Sequence, residues 1–377
     1  MLRQYRRIIL RRPLLRDCAV LPRYVGIRMN TQAEKRVTIN QVADYCGVSK
    51  TTISRFLNGK YENMSAGTRE KIEATIAELN YRPDRSAQRL KSSRTMLIGC
   101  VIGDISSPFS ALLLKGITSV CEEAGYQVLF ADSRESVKRE KRAVQGFLEN
   151  RVDGLIINTC GGNDEFLLGL QARGVPTVLA DRALMKQGLM DTVSSTNQDS
   201  AACATRFLFA QGYTRVAFFS ETIGSISPRR LRCMGYARAV KDFAPAGIEP
   251  EIYELTGDGK VSGEECVKRF RGKYPDERIA ILAANGTTAQ RVLIALKALG
   301  MRAGRYLGLC TFDDWDWLQI AEPSITAVTM DSAGIGAKAA SLLLERINGK
   351  RQDESPAVTI ELPGSLIVRD STPGPEA

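Results

Sequence analysis

The first regular pattern of apolar residues has helical spacing and lies between residues 38 and 80. Three consecutive segments each place apolar side chains three or four positions apart, which is the spacing of one helix face. The positions are Ile39, Val42, Ala43 and Cys46, then Ile53, Phe56 and Leu57, then Ile72, Ile76 and Leu79. The pattern predicts three short amphipathic helices around a small shared core.

Polar residues at the ends of these segments sharpen the prediction. Thr38, Ser49 and Ser65 stand where an N-cap would accept a hydrogen bond from the first turn of each helix. Gly47 can supply the positive φ of a tight turn, so the first two helices form a predicted helix-turn-helix. A generic three-helix subdomain with a solvated polar face would show the same periodicity.

From residue 96 the pattern changes to short, continuous apolar runs separated by helical stretches. The runs are MLIGCVI, YQVLFAD, DGLIIN and PTVLA, then RVAFF, AILAA, YLGLCTF and SITAVTM. Buried strands that alternate with helices indicate an α/β fold with parallel sheets flanked by helices. Two such series predict a two-lobed core, with a ligand cleft between the lobes at the carboxyl ends of the strands.

Charge is distributed unevenly along the chain. The formal net charge is +10, of which residues 1–28 carry +7, residues 29–96 carry +5 and the remainder carries −2. A basic front beside a slightly acidic body is the asymmetry expected where one end binds a polyanion. Because phosphate contacts carry no sequence information, discrimination must come from side chains such as Lys50, Thr51 and Arg55, which can reach base edges.

Composition excludes several other classes of protein. The chain contains no histidine, which excludes His-based catalytic triads and His-ligated metals, and it shows no phosphate-binding glycine loop. Its nine cysteines are scattered without a CxxC pair, as in a reducing cytoplasm. No apolar run approaches the roughly 18 residues that a membrane span needs. We therefore expect a cytoplasmic protein that is not an enzyme, has no cofactor and makes no membrane contact.

The first 28 residues are rich in arginine and nearly free of acidic residues. An organellar presequence and a disordered polyanion-binding arm both have this composition. Met29 opens a short lead into the first helix and is itself a plausible start. We expect residues 1–36 to form a basic, unstructured extension, of which the part before Met29 is either a start-site artefact or an unstructured tail.

The stretch TINQVADYCGVSKTTISRFLNG, followed by SAGTREKIEATIAELNYRPDRSAQRLKS and MLIGCVI, resembles the lactose-repressor/galactose-repressor family of bacterial transcription regulators. The resemblance runs from about residue 37 to about residue 370 and is most specific in its first sixty residues. It implies a DNA-reading headpiece, a hinge helix and a core similar to periplasmic sugar-binding proteins.

The resemblance implies roles for named residues in the front of the chain. Lys50, Thr51 and Arg55 would face bases, whereas Thr38, Ser49, Thr52 and Asn58 would contact phosphates or cap helices. In the hinge, Leu90 stands where the family places a leucine wedge in the minor groove, and an ordinary linker residue is the alternative. The neighbouring minor-groove or phosphate contacts would be Arg85, Gln88 and Arg89.

Residues that match the effector positions of the family follow the predicted strands. They are Asp104, Ser106, Phe109, Asp181, Arg230, Arg232, Asn285, Asp313 and Trp315, with Arg182 beside Asp181. Carboxylates can accept from vicinal hydroxyls, guanidinium groups can grip a carboxylate, and aromatic rings can cover a sugar face.

Gly286 stands where the family often has Asp. The FDDWDW stretch resembles regulators that respond to gluconate-type keto sugar acids. For Trp315 core packing is an equal alternative.

These observations predict a domain layout. It comprises the extension 1–36, a headpiece 37–82, a hinge 83–95, a core 96–371 and a tail 372–377, with lobe one at 96–196 and 330–357 and lobe two at 197–329 and 358–371. The expected function is a repressor that binds double-stranded operator DNA as a homodimer rather than a tetramer. Its operator affinity is controlled by a small sugar or sugar acid bound between the two lobes. The alternatives are a free-standing sugar-binding protein and a constitutive DNA-binding protein with a vestigial cleft.

Overall fold

The computed structural model describes residues 37–57, 59–62, 64–81, 94–256, 261–350 and 356–375. The chain separates into two compact units, with the division between Lys91 and Ser92. Several predicted features lie outside the described residues. They are the extension 1–36, Asn58, most of the hinge 83–95, and the hinge residues Arg85, Gln88, Arg89 and Leu90.

The first unit contains the three predicted helices, α1 (Ile39–Cys46), α2 (Lys50–Leu57) and α3 (Ala66–Glu78). Thr38 caps α1 in a reciprocal capping box, because its backbone N–H donates to Gln41 Oε1 at 2.8 Å and its hydroxyl accepts from the Gln41 N–H. Gly47 follows α1 with a φ of +62°, which confirms the predicted turn.

The three apolar stripes enclose one small core, as predicted. Val42, Ile53 and Ile72, one from each helix, have no exposed surface and lie at the centre of a cluster completed by Ala43, Cys46 and Tyr81. The remaining members of the stripes pack around it. Burial of one apolar face per helix is what stabilises helices of this length, which are marginal in isolation.

The second unit begins with a fully parallel six-stranded sheet in the order β11-β5-β4-β3-β1-β2. Every residue of β1 and β3 is buried, which explains their continuous apolar sequence. The elements of this lobe are β1 (Leu97–Ile102), α4 (Pro108–Glu123), β2 (Gln127–Asp132), α5 (Val137–Glu149), β3 (Gly154–Ile157), α6 (Asp164–Ala172), β4 (Thr177–Ala180), β5 (Thr192–Ser195), α12 (Ser332–Ile347) and β11 (Thr359–Leu362).

A second six-stranded sheet has the order β12-β10-β9-β8-β6-β7 and forms lobe two. Its strands are parallel except for β12, which pairs antiparallel with β10. The elements are α7 (Asn197–Ala210), β6 (Arg215–Glu221), α8 (Ser227–Phe243), β7 (Glu251–Leu255), α9 (Gly263–Lys273), β8 (Ile279–Ala283), α10 (Gly286–Ala298), β9 (Gly308–Phe312), α11 (Trp317–Ile320), β10 (Thr326–Thr329) and β12 (Ser365–Ile367). Among the described residues, no helix is both long and apolar enough to cross a bilayer.

The chain crosses between the lobes three times, and the three crossings pack together at Gly364. The crossings follow β5, β10 and β11. A Cβ at Gly364 would lie 2.9 Å from Ser200 Oγ and 3.1 Å from the Thr329 carbonyl oxygen, and the Gly364 N–H donates to Thr196 Oγ1 at 3.3 Å. Only glycine fits between the other two crossings without displacing them.

Two predicted boundaries need correction. The sequence predicts that segment 358–371 belongs to lobe two, but Thr359–Leu362 forms β11 and pairs in parallel with β5 of lobe one. The third crossing therefore lies after Leu362, because an alternating, half-buried strand at a sheet edge gives a weak sequence signal. The predicted tail also starts inside the fold, since Thr372 is buried and its hydroxyl lies 2.6 Å from that of Thr326.

A buried ion pair holds α12 against the sheet of lobe one. Arg346 binds Asp191 through two nitrogens, at 2.8 Å to Oδ2 and 3.0 Å to Oδ1, and the Val358 N–H also donates to Asp191 at 2.9 Å. The Asp191 side chain is 2% exposed and that of Arg346 is 10% exposed. Removing one member leaves the other charge buried without its partner, which costs more than the pair contributes.

We therefore predict that Asp191→Ala lowers the free energy of unfolding of the core by about 3 kcal/mol, measured by urea denaturation. The matched control is Asp199→Ala, whose ion pair with Arg238 is largely exposed. It should change stability by about 0.5 kcal/mol or less. Equal losses in the two variants would contradict a structural role for the buried pair.

Candidate functional site

The second helix of the headpiece presents a polar face beside a well-formed cap. Ser49 Oγ accepts from the Thr52 N–H at 3.1 Å and lies 2.9 Å from the Thr52 hydroxyl, so these two side chains fix the start of α2. The turn before it is held by the Val48 N–H, which donates to the Ala43 carbonyl at 3.1 Å. The polar face of α2 therefore follows a turn that these hydrogen bonds hold in place.

Lys50, Thr51 and Arg55 are all exposed on α2, whereas Ile53 between them is fully buried. Thr51 and Arg55 are four residues apart and thus neighbours on the helix surface. Tyr45 on α1 adds an aromatic side chain that is 67% exposed, and sequence reasoning missed it. The sequence signal that could have identified it is an aromatic residue outside the apolar face of the first helix, two positions before Gly47.

The core contains a cleft of about 950 Å³ between the two lobes. It is lined by residues that follow the carboxyl ends of strands in both sheets, as the sequence predicted. Eight of the nine predicted effector residues are among its lining: Asp104, Ser106, Phe109, Asp181, Arg232, Asn285, Asp313 and Trp315. This volume suits a small organic molecule.

Arg230 is the predicted residue that the structure does not bring into the cleft. Its Nη1 lies 2.7 Å from the Met185 sulfur, and Arg229 lines the cleft in its place. Successive residues on a helix point about 100° apart, so residues 229 and 232, at i and i+3, share a face that residue 230 does not. Helical spacing from Arg232 would have identified Arg229.

A buried arginine of lobe two lines the cleft. Arg232 Nε donates to Asn197 Oδ1 at 2.7 Å, its Nη1 donates to the Ala284 carbonyl at 2.6 Å, and its guanidinium lies 4.1 Å from the centre of the Phe312 ring. Asp181 and Asp313 are buried as well and interact electrostatically with this cation. The site thus holds a fixed cation between carboxylates of opposite lobes.

Burial dominates the titration of these three groups. It raises the pKa of the Asp181 carboxyl, against the opposing effect of Arg182 and Arg232, and it raises the pKa of Asp313 against the effect of Arg232. It lowers the pKa of Arg232, which the two carboxylates oppose. Both aspartates also adopt a left-handed backbone, with φ of +65° and +68°, a strained conformation typical of functional sites.

A second group of charges bridges the lobes at the side of the cleft. Glu135 Oε1 lies 3.0 Å from Arg182 Nη2 and 3.3 Å from Arg229 Nη2. Arg229 Nη2 also lies 2.7 Å from Glu221 Oε2, which accepts from Asn285 Nδ2 at 3.0 Å. Of these residues, Glu135, Arg229 and Glu221 were not identified from the sequence.

Trp315 both lines the cleft and packs against the protein, so it fits the two alternatives of ligand contact and core packing. Its ring lines the cleft, yet it also packs over Gly286, where an added Cβ would lie 2.6 Å from Trp315 Cζ3. The Gly286 N–H donates to Asp313 Oδ2 at 3.3 Å. Residue 286 therefore has no side chain because the indole fills that space.

A helix-turn-helix unit on the same chain as a two-lobed core with a ligand-sized cleft defines a ligand-responsive DNA-binding regulator. The sequence matches the bacterial regulatory proteins of the lacI family over residues 38–84 and the periplasmic binding protein-like domain over residues 205–372. It is 34% identical over 343 residues to the HTH-type transcriptional regulator KdgR of Bacillus subtilis, covering 91% of this chain and 100% of that protein.

Solved structures show the same relationship. A lac repressor dimer bound to operator and the anti-inducer ONPF is 28% identical, with a TM-score of 0.77 over 90% of this chain and 100% of that one. A complex of the transcriptional regulator CelR with cellobiose is 27% identical, with a TM-score of 0.64 over 89% and 100%. The chain belongs to the lacI family and is a DNA-binding transcriptional regulator with an effector-binding core.

Because burial raises the folded-state pKa of Asp181 above its ordinary value of 3.8, ionisation of this carboxyl disfavours folding. The penalty is present above the folded pKa and absent below the unfolded one. We predict that Asp181→Asn raises the free energy of unfolding of the ligand-free core by about 1 kcal/mol at pH 8 and by less at pH 5.

The measurement is urea unfolding followed by tryptophan fluorescence, because both tryptophans of the chain, Trp315 and Trp317, lie in the core. Asp104→Asn is the control, since Asp104 is exposed. A loss of stability in Asp181→Asn at pH 8 would show that the arginines outweigh burial.

Proposed function

We propose that the protein is a repressor whose affinity for operator DNA is controlled by a sugar acid bound between the lobes of its core. One observation carries this proposal: the cleft brings buried carboxylates and fixed arginines together. Carboxylates suit the hydroxyl groups of a sugar, and arginines suit a carboxylate on the same molecule. A neutral sugar would leave the arginines without a ligand partner.

The roles of individual residues follow from their chemistry. Hydroxyl groups of the ligand donate hydrogen bonds to Asp181 and Asp313 and exchange hydrogen bonds with the Asn285 amide. Arg232 binds two oxygens of the ligand through its remaining donors. Phe109 and Trp315 cover the apolar face of the sugar. Asp104 and Ser106 close one wall, where the Ser106 hydroxyl donates to Asp104 Oδ1 at 2.7 Å.

The headpiece reads the operator through Lys50, Thr51 and Arg55 in the major groove. Thr38, Ser49, Thr52 and Asn58 contact phosphates or hold the helices that do so. The hinge residues Arg85, Gln88 and Arg89 contact the minor groove, and Leu90 is the wedge that opens it. This division assigns sequence discrimination to α2 and DNA bending to the hinge.

The protein acts as a homodimer in the bacterial cytoplasm, associated with the nucleoid. Both sheets end in strands with large exposed apolar side chains, since Phe130 on β2 is 58% exposed and Ile252 on β7 is 45% exposed. Pairing through these edges gives twofold-related headpieces that fit a palindromic operator. The related lac repressor structure is a dimer on its operator.

Control of DNA binding is a matter of linkage between the cleft and the headpiece. The effector changes operator affinity only to the extent that it binds the two lobe arrangements with different affinities. Operator DNA must then change effector affinity by the same factor. We infer that effector binding releases the DNA, and recruitment to DNA by the effector is the alternative.

The decisive experiment is thermal unfolding against a panel of neutral sugars, sugar acids and keto sugar acids. A ligand present at 100 times its dissociation constant adds roughly 2.7 kcal/mol and raises the unfolding midpoint visibly. We expect acids, and not the corresponding neutral sugars, to raise it. A response confined to neutral sugars would reject the sugar-acid assignment, and no response to any member would favour a vestigial cleft.

We predict that Arg55→Ala weakens binding to an operator selected from random duplexes by roughly 10- to 100-fold, because a bidentate base contact contributes about 1–3 kcal/mol. The measurement is fluorescence anisotropy at fixed salt on selected and unrelated DNA. Lys71→Ala is the control, since Lys71 is an exposed cation on α3 outside the recognition face. Equal losses of affinity on the selected and the unrelated DNA would indicate that Arg55 contacts phosphates and not bases.

A further inference from the structure

Two arginines from opposite lobes converge on a single carboxylate oxygen that belongs to the protein itself. Arg182 follows β4 in lobe one and Arg229 lies in the first turn of α8 in lobe two, and each brings its Nη2 within 3.3 Å of Glu135 Oε1. The arginine side chains are 13% and 10% exposed, whereas that of Glu135 is 38% exposed. Two nearly buried cations thus share one accessible anion, while Arg229 Nη2 also binds Glu221 Oε2 at 2.7 Å within lobe two.

The arginines are held in place independently of Glu135. Arg182 Nη1 donates to the Thr159 carbonyl at 3.2 Å, and Arg229 Nη1 donates to the Thr222 carbonyl at 3.0 Å. A Cβ at Gly103 would lie 2.9 Å from Arg182 Nη1, so the absence of a side chain there makes room for the guanidinium. The pair is a preformed receptor for a carboxylate, whichever molecule supplies it.

Glu135 reaches the arginines from a strained loop. Arg134 and Glu135 both have positive φ, at +48° and +52°, and neither is glycine. The loop is tied to the end of β1, because the Ser133 N–H donates to the Ile102 carbonyl and the Glu135 N–H to the Gly103 carbonyl, each at 2.9 Å. Backbone strain of this kind persists only where surrounding contacts impose it, and it is concentrated at functional sites.

We propose that Glu135 is a built-in competitor of the effector and occupies the arginine pair until the carboxylate of a sugar acid displaces it. This inference rests on the proposed function. The incoming carboxylate has the same charge and the same two acceptor oxygens as Glu135, so the exchange preserves the hydrogen bonds of both arginines. A neutral sugar offers no anion for the exchange and leaves the Glu135 bridge in place.

The competition has a measurable consequence. Glu135→Gln keeps the size of the side chain and removes its charge, which weakens its hold on the arginines and removes its repulsion of an incoming anion. We expect about tenfold tighter binding of gluconate and 2-ketogluconate. Binding of glucitol, the neutral counterpart of gluconate, should stay unchanged because it does not compete for the arginines.

The experiment is isothermal titration of the full chain, as wild type and as Glu135→Gln, with each of these three compounds. Glu149→Gln is the matched control, because it makes the same change in net charge on an exposed glutamate of α5. It should leave all three affinities at the wild-type value. Glu135→Ala serves as a second variant and should shift acid affinity in the same direction as Glu135→Gln.

The outcomes separate this inference from the proposed function. Acids that bind the wild type and bind both Glu135 variants no more tightly would overturn the competitor role and leave sugar-acid sensing intact. Tighter binding of glucitol as well as the acids would also overturn it, since the effect would not depend on the ligand's charge. No acid binding by any of the proteins would reject sugar-acid sensing and the competitor role with it.

Discussion

A buried guanidinium is the feature on which the arrangement of the core depends. Arg232 cannot lose its hydration without replacement of every interaction that water supplied. Asn197 and the end of β8 supply acceptors, Phe312 supplies a ring face, and two aspartates supply opposing charge. All of these partners except Asp181 belong to lobe two, so the cation is anchored in that lobe and meets lobe one through a single carboxylate at the carboxyl ends of the strands. The same arrangement creates the cleft.

Strain and burial at the cleft indicate where stability has been given up for function. Seven residues other than glycine have positive φ among those the structure describes, and four of them, Arg134, Glu135, Asp181 and Asp313, line the cleft. Burial also opposes the charge of the two aspartates. A ligand that donates hydrogen bonds to these carboxylates would relieve that penalty, so the site is arranged to be more stable when filled.

Much of the fold was predictable because its signals are local. A cap such as Thr38 or Ser49 and an apolar stripe each depend on a few neighbouring residues, and buried parallel strands are apolar throughout. The cleft residues that follow strands, such as Asp181 and Asp313, were predictable from topology. The placement of hinge residues around Leu90 stays a prediction.

The features that escaped prediction depend on distance in space. Arg229 and Arg230 differ only in the direction in which α8 presents them, and Glu135 acts across the cleft on a residue of the other lobe. Strand β11 was assigned to the wrong lobe because its short half-buried sequence does not reveal its partner. Gly286 looked like a missing carboxylate until its contact with Trp315 showed that the space is filled.

The meeting of the three crossings at Gly364 constrains how the lobes can move. Two lobes joined by one connection could both rotate and translate relative to each other. Three connections in mutual contact at Gly364 instead define a common hinge axis. Rotation of lobe two relative to lobe one about that axis keeps the length of each crossing, whereas translation would stretch at least one crossing. A ligand that fills the cleft therefore changes mainly one quantity, the angle between the two lobes. Because packed interfaces adopt discrete arrangements and do not deform continuously, this restriction favours a switch with two settings over a graded response.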